Sequence, residues 1–271
     1  MINLKSIINS FKKKAIKIEK RLRFVISALA LTLTMLVATF FSFDKVYIFI
    51  PLFIMTTYFY TFFSVLEDIE KIEWFSLFFM PVILTVSFYL FYFLFPVRWL
   101  TRLPFMVLYA ISVYALMLCA NIFNVGVEKS LQLYRAAFSV NFFFQSLVGF
   151  FLFNVIFSFR LNFFLNGLVI ALIIFLLAYH LYWSIRLRLG IEKENILYAG
   201  LTAFLLFELA VICSFVPLKP MIFSLFIISS YYSLAGLIYN HLDQRLFPQT
   251  VREYLFVWFF VLTVTLLSIN W

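Results

Sequence analysis

About nine stretches of roughly twenty apolar residues each occupy most of this chain, at 24–43, 46–65, 74–96, 103–124, 138–158, 163–185, 196–216, 221–239 and 254–270. At 1.5 Å of rise per residue such a block crosses a hydrocarbon layer of ~30 Å as an α-helix. The blocks are continuously apolar and do not alternate with period two, so a transmembrane β-barrel is excluded. Only 12% of the residues are charged and the mean hydropathy is +1.06, against about a quarter charged in soluble domains. The sequence therefore predicts an all-α, polytopic transmembrane helix bundle of about nine spans, preceded by a basic surface segment. Its expected division is a tail at 1–23 and a helical membrane domain at 24–271. Connections are short, so successive helices are expected to be antiparallel neighbours. Pro81 is expected to kink the third span.

The tail carries Leu4, Ile7, Ile8, Phe11, Ala15, Ile18 and Leu22 at helical spacing. Lys12, Lys13, Lys17, Lys20 and Arg21 cover its other sides. That pattern predicts an amphipathic helix lying in the headgroup plane and drawn to anionic lipid. The regular apolar stripe ranks this above a nucleic-acid-binding tail, and no nucleic-acid partner is expected. The segment does not read as a cleavable signal, because its basic region is long and no small-x-small site follows. With the N-terminus cytoplasmic, sixteen of the 21 Lys and Arg fall on inner segments. The positive-inside rule then puts the C-terminus outside.

Polar residues concentrate at 121–145. Asn121 and Asn124 close the fourth span, Asn141 and Gln145 open the fifth, and each pair shares a helix face. Glu128 and Arg135 lie between them, on a short interfacial helix after Gly126. One reading is a cytoplasmic-side polar pocket for a headgroup or small solute. The plainer reading is a hairpin whose amides bond across the two helices and fix their register.

Glu208 is the one carboxylate well inside a span, a placement that costs ~2.5–3.5 kcal/mol or more and points to function. Folding the hairpin at 216–220 brings it level with Ser230 and Tyr231, whose hydroxyls are its expected partners in a proton or ligand site. Helix adhesion is the competing reading. His180, among Tyr179, Tyr182 and Trp183, reads as an interfacial packing residue. Asn154, Asn162 and Asn166 read as helix contacts or caps, and Thr250 as the cap of the last helix. The acidic run 67–73 reads as a solvated turn, with divalent-cation binding the weaker alternative. Cys119 and Cys213 sit in separate apolar runs and read as small buried hydrophobes.

No glycine-rich phosphate loop, paired-histidine metal motif or serine elbow is present, so no cofactor and no metal is expected. The segments Asn121-Ile-Phe-Asn-Val125 and Leu131-Gln-Leu-Tyr-Arg-Ala-Ala137 resemble a family of uncharacterised bacterial polytopic membrane proteins. The stretch from Glu208 to Phe215, and Arg245-Leu-Phe with Arg252-Glu-Tyr254, fit the same resemblance, which spans most of 103–270. It implies a domain of unknown function in a bacterial cytoplasmic membrane and brings no activity with it. Three function classes follow. A structural or assembly subunit of a membrane complex, with membrane-protein partners, comes first. A small-solute or lipid transporter using Glu208 and the Asn121/Asn141 cluster comes second, and an intramembrane lipid-modifying enzyme last.

Overall fold

A computed structural model describes residues 18–66, 74–95, 99–125, 131–187 and 192–269. Every regular element among them is helical. The order is α1 (Lys20–Ala38), a 3-10 turn (Phe43–Lys45), α2 (Val46–Val65), α3 (Trp74–Tyr92), α4 (Trp99–Val125), α5 (Leu131–Ser158), α6 (Phe163–Arg186), α7 (Lys193–Cys213), α8 (Pro220–Leu242) and α9 (Pro248–Leu267). Nine helices among the described residues are long and apolar enough to cross a membrane, as the hydropathy blocks predict.

Helix ends differ from the expected spans wherever polar residues continue a helix. α1 begins at Lys20, so Lys20, Arg21 and Arg23 lie in the first spanning helix; Arg23 is buried. α5 begins at Leu131 and not at 138, because Leu, Gln, Arg and Ala are all good helix formers and extend it. α9 begins at Pro248, whose fixed φ suits the first helical position. Thr250 therefore lies inside the first turn, and the N-cap is Phe247. Residues 1–17, with Lys12, Lys13 and Lys17, lie outside the described residues, as do Glu128 and the acidic run 67–73.

The chain divides into two compact units, 1–141 and 142–271, with the boundary inside α5. In the first, Ser27 Oγ donates to the Tyr60 carbonyl at 3.2 Å and joins α1 to α2. Thr57 Oγ1 donates to Thr85 Oγ1 at 3.3 Å, and Thr85 lies 3.0 Å from Tyr109 Oη, so one buried hydroxyl chain ties α2, α3 and α4 together. Arg102 sits four residues into α4 yet is almost fully buried. Its Nε donates to Tyr92 Oη at 3.0 Å and its Nη2 to the Thr39 carbonyl at 3.2 Å. The guanidinium lies over the rings of Phe40 and Trp99. One cation thus gathers the C-terminal ends of α1 and α3 and the start of α4, where the helix dipoles of α1 and α3 favour positive charge.

In the second unit α6 packs on α7, α7 on α8 and α8 on α9. Glycines set the close approaches. A Cβ at Gly236 would stand 2.5 Å from the Tyr254 ring, and one at Gly167 would stand 2.9 Å from Val211. Small residues let membrane helices approach closely enough for dispersion to hold them, since lipid tails supply no hydrophobic drive between helices.

Candidate functional site

The polar centre of the second unit is built by residues from α5, α6 and α8. Gln145 lies fourteen positions into α5, about 21 Å along the helix, and is fully buried. Its position is fixed by stacking along one side of α5: Phe142 on Tyr232 at 4.7 Å between ring centres and Phe157 on Phe223 at 3.9 Å. Between them Gly149 faces Ile228. This seam holds α5 against α8 and points the Gln145 amide inward.

There Tyr231 Oη donates to Gln145 Oε1 at 2.9 Å, and Gln145 Nε2 lies 2.9 Å from His180 Nδ1. The two bonds fix each other's sense. With Oε1 taken by a phenol donor, the amide nitrogen faces the imidazole, and an amide nitrogen only donates. His180 Nδ1 is then the acceptor, which assigns the neutral ring with its proton on Nε2. His180 is 3% exposed and packs on Trp183, ring centres 5.7 Å apart. It is therefore a core hydrogen-bonding residue, and its reading as an interfacial packing side chain is corrected.

Two further bonds extend the polar centre. Tyr182 Oη lies 2.9 Å from Thr202 Oγ1, joining α6 to α7. Trp258 Nε1 donates to Ser230 Oγ at 2.9 Å, joining α9 to α8, while Ser230 donates to the Phe226 carbonyl at 2.9 Å. The indole N–H of Trp183, by contrast, is buried with no hydrogen-bond partner among the described residues.

Gln145 is a mid-helix residue and not a neighbour of a short interfacial helix, because α5 starts two turns earlier than its apolar block. Asn121 and Asn141 are on the first unit, where Asn121 Oδ1 and Asn141 Nδ2 are buried without a hydrogen-bond partner among the described residues. The amide bond expected between them is not formed by these atoms. Asn124 is buried and Arg135 is exposed. Glu208 does not meet Ser230 or Tyr231. Ser230 and Tyr231 are buried and bonded to other partners, whereas Glu208 is exposed. The physical reason is helical phase. Leu206 and Ala210 face the packed side of α7, and residue 208, some 200° round from 206, faces away. Asn166 behaves as expected, its Nδ2 donating to the Leu161 carbonyl at 3.1 Å before the start of α6. Asn162 is the N-cap of α6 without a side-chain bond.

The Gln145–His180–Tyr231 constellation was not legible in the sequence, since its members lie 35 and 86 positions apart. The available signal was that a glutamine, a histidine and a tyrosine each sit in an otherwise oily span. Such groups seek one another where no water is present.

The unit that holds this constellation lies almost wholly within the segment 64–268, which matches a family model described as "Protein of unknown function (DUF5656)". The chain belongs to the DUF5656 family. The match takes in α3 to α9, and agrees with the uncharacterised family whose likeness is carried by Asn121–Ala137, Glu208–Phe215 and the residues Arg245-Leu-Phe and Arg252-Glu-Tyr254. No curated protein and no solved structure matches the chain.

Proposed function

We propose that this DUF5656 protein is a multi-pass structural or assembly subunit of a membrane complex. One observation carries the reading: Glu208 of α7 is exposed on the outside of the second unit, while Gln145, His180 and Tyr231 inside it are bonded to one another. Gln145 uses its carbonyl on Tyr231 and its amide nitrogen on His180. Passing a proton along that line would require the amide to tautomerise, which makes it a tie between helices and a poor wire. His180 Nδ1, the ring's basic nitrogen, already accepts a bond, which speaks against general-base chemistry there. A transport role would draw on Glu208 together with Ser230 and Tyr231, and those residues face different ways.

The expected setting is a cell membrane with the N-terminus on the cytoplasmic side and the C-terminus outside. Lys20 and Arg21 at the head of α1 favour contact with anionic headgroups on that side. Extraction from native membranes into polymer-bounded lipid discs, followed by native mass spectrometry, tests the assembly role. The expected species is heavier than one 32.1 kDa chain by the mass of at least one further polypeptide. A single chain carrying only lipid would sink the proposal.

A further inference from the structure

The assembly reading leaves the chemistry of the partner open, and the outward face of α7 supplies it. Leu201, Phe204, Leu205 and Ile212 are exposed along that face, 40–62% each, and Glu208 is exposed among them. No hydrogen bond or ion pair reaches the Glu208 carboxyl among the described residues. Its depth rules out a simple escape to water. Glu208 lies five positions before the end of α7 at Cys213, about 7–8 Å inside the helix end. The Cα–Cβ bond tilts toward the helix N-terminus, so the side chain starts off away from the nearer interface. An acid held against acyl chains at that level is costly, and membrane proteins match such groups with an opposite charge or a hydrogen-bond donor.

We infer that this face of α7 docks a transmembrane helix of another polypeptide that presents a lysine or arginine level with Glu208. The inference rests on the assembly role above. Charge complementarity selects the occupant. The apolar residues around Glu208 would sit equally well in lipid; the carboxylate would not. The second unit of another copy offers no cation at this level among its described residues. Among the described residues of the second unit, Arg160 and Lys219 lie in the turns at the Glu208 end of the helices, beyond the apolar layer. Arg186, Lys193, Arg245 and Arg252 lie at the opposite end, since α6, α7, α8 and α9 follow one another across short connections, pack in sequence and run antiparallel. A like-oriented copy would bring Glu208 against Glu208.

The probe is a synthetic polyleucine transmembrane peptide with one lysine five residues from the end that meets the Glu208 level. An all-leucine peptide and one with its lysine at the centre serve as controls. Full-length protein labelled with a donor dye is reconstituted in phosphatidylcholine vesicles, and energy transfer to labelled peptide is read. The expected result is association at least ten-fold tighter for the depth-matched lysine helix than for either control. Glu208→Leu abolishes that preference and Glu208→Gln reduces it, with unfolding of both variants unchanged because the side chain is exposed and makes no hydrogen bond or ion pair among the described residues. Equal association of all three peptides overturns the inference, and so does an undiminished preference in Glu208→Leu. Glu208-dependent self-association without any peptide overturns it too, and assigns the face to a second copy. Peptide results that fail while the native complex still exceeds one chain in mass remove only the basic-helix assignment. A native species of one chain removes the assembly role itself.

Discussion

Tyr231 and Gln145, 86 positions apart, meet at 2.9 Å with the phenol donating to the amide oxygen, and the other end of the same amide reaches His180. One glutamine therefore closes three helices on each other. Deleting it breaks two bonds, whereas deleting the phenol breaks one.

Gln145→Leu should cost more than Tyr231→Phe, because it strands a buried phenol and takes the amide donor from the imidazole. Interhelical bonds in membranes average ~0.6 kcal/mol and reach ~1.7, so Tyr231→Phe is expected near the lower figure and Gln145→Leu at about 1–3 kcal/mol. In the Gln145→Leu background, Tyr231→Phe should cost nothing or stabilise slightly, since it removes a stranded hydroxyl. Unfolding by detergent titration in bicelles reads all four corners of the cycle. An equal cost of Tyr231→Phe in both backgrounds would mean that the two groups are not coupled.

Arg102 makes a second prediction, in the first unit. Its fork spans Tyr92 Oη and the Thr39 carbonyl, and its plane lies over Phe40 and Trp99. A lysine keeps the charge but cannot bridge two acceptors in that geometry while stacking on two rings. Arg102→Lys should therefore destabilise by about 1–2 kcal/mol, and Arg102→Leu by more, since the last carbonyls of α1 lose their cation. The same titration measures both. A lysine variant as stable as the parent would show that charge alone carries the site.

These two residues also show what the sequence could and could not reveal. Span number and type were legible because hydrocarbon leaves a peptide chain no option but to bond itself, and that demand is written locally, in runs of apolar residues. Arg102 falls one residue before the apolar block 103–124 and so reads as a loop cation; a local window cannot see Phe40, Tyr92 and Trp99 closing over it. Gln145 reads as the opening of a helix because the apolar block starts later than the helix does; Leu131 to Ala137 are helical by propensity but too polar to mark a span. Glu208 was legible as an unusual carboxylate, and the phase of Leu206 and Ala210, both apolar like their neighbours, gave no sign of which side of α7 would be packed. Contacts between distant helices depend on rotation about each helix axis, and a nearly uniform apolar surface encodes that rotation weakly.

Trp183 tests how completely the core satisfies itself. Its ring is 2% exposed, against His180, and its indole N–H has no partner among the described residues. A stranded buried donor costs about 1–3 kcal/mol. Trp183→Phe removes that donor and keeps an aromatic ring, at the expense of a cavity worth about 1 kcal/mol. The two effects oppose each other, so the variant should be as stable as the parent or up to about 2 kcal/mol more stable. Thermal unfolding in detergent, with Gln145→Leu as the destabilised reference, is the measurement. A loss of 3 kcal/mol or more would mean that the indole hydrogen is bonded in the membrane, by ordered water or bound lipid, and that the polar centre extends past Gln145, His180 and Tyr231.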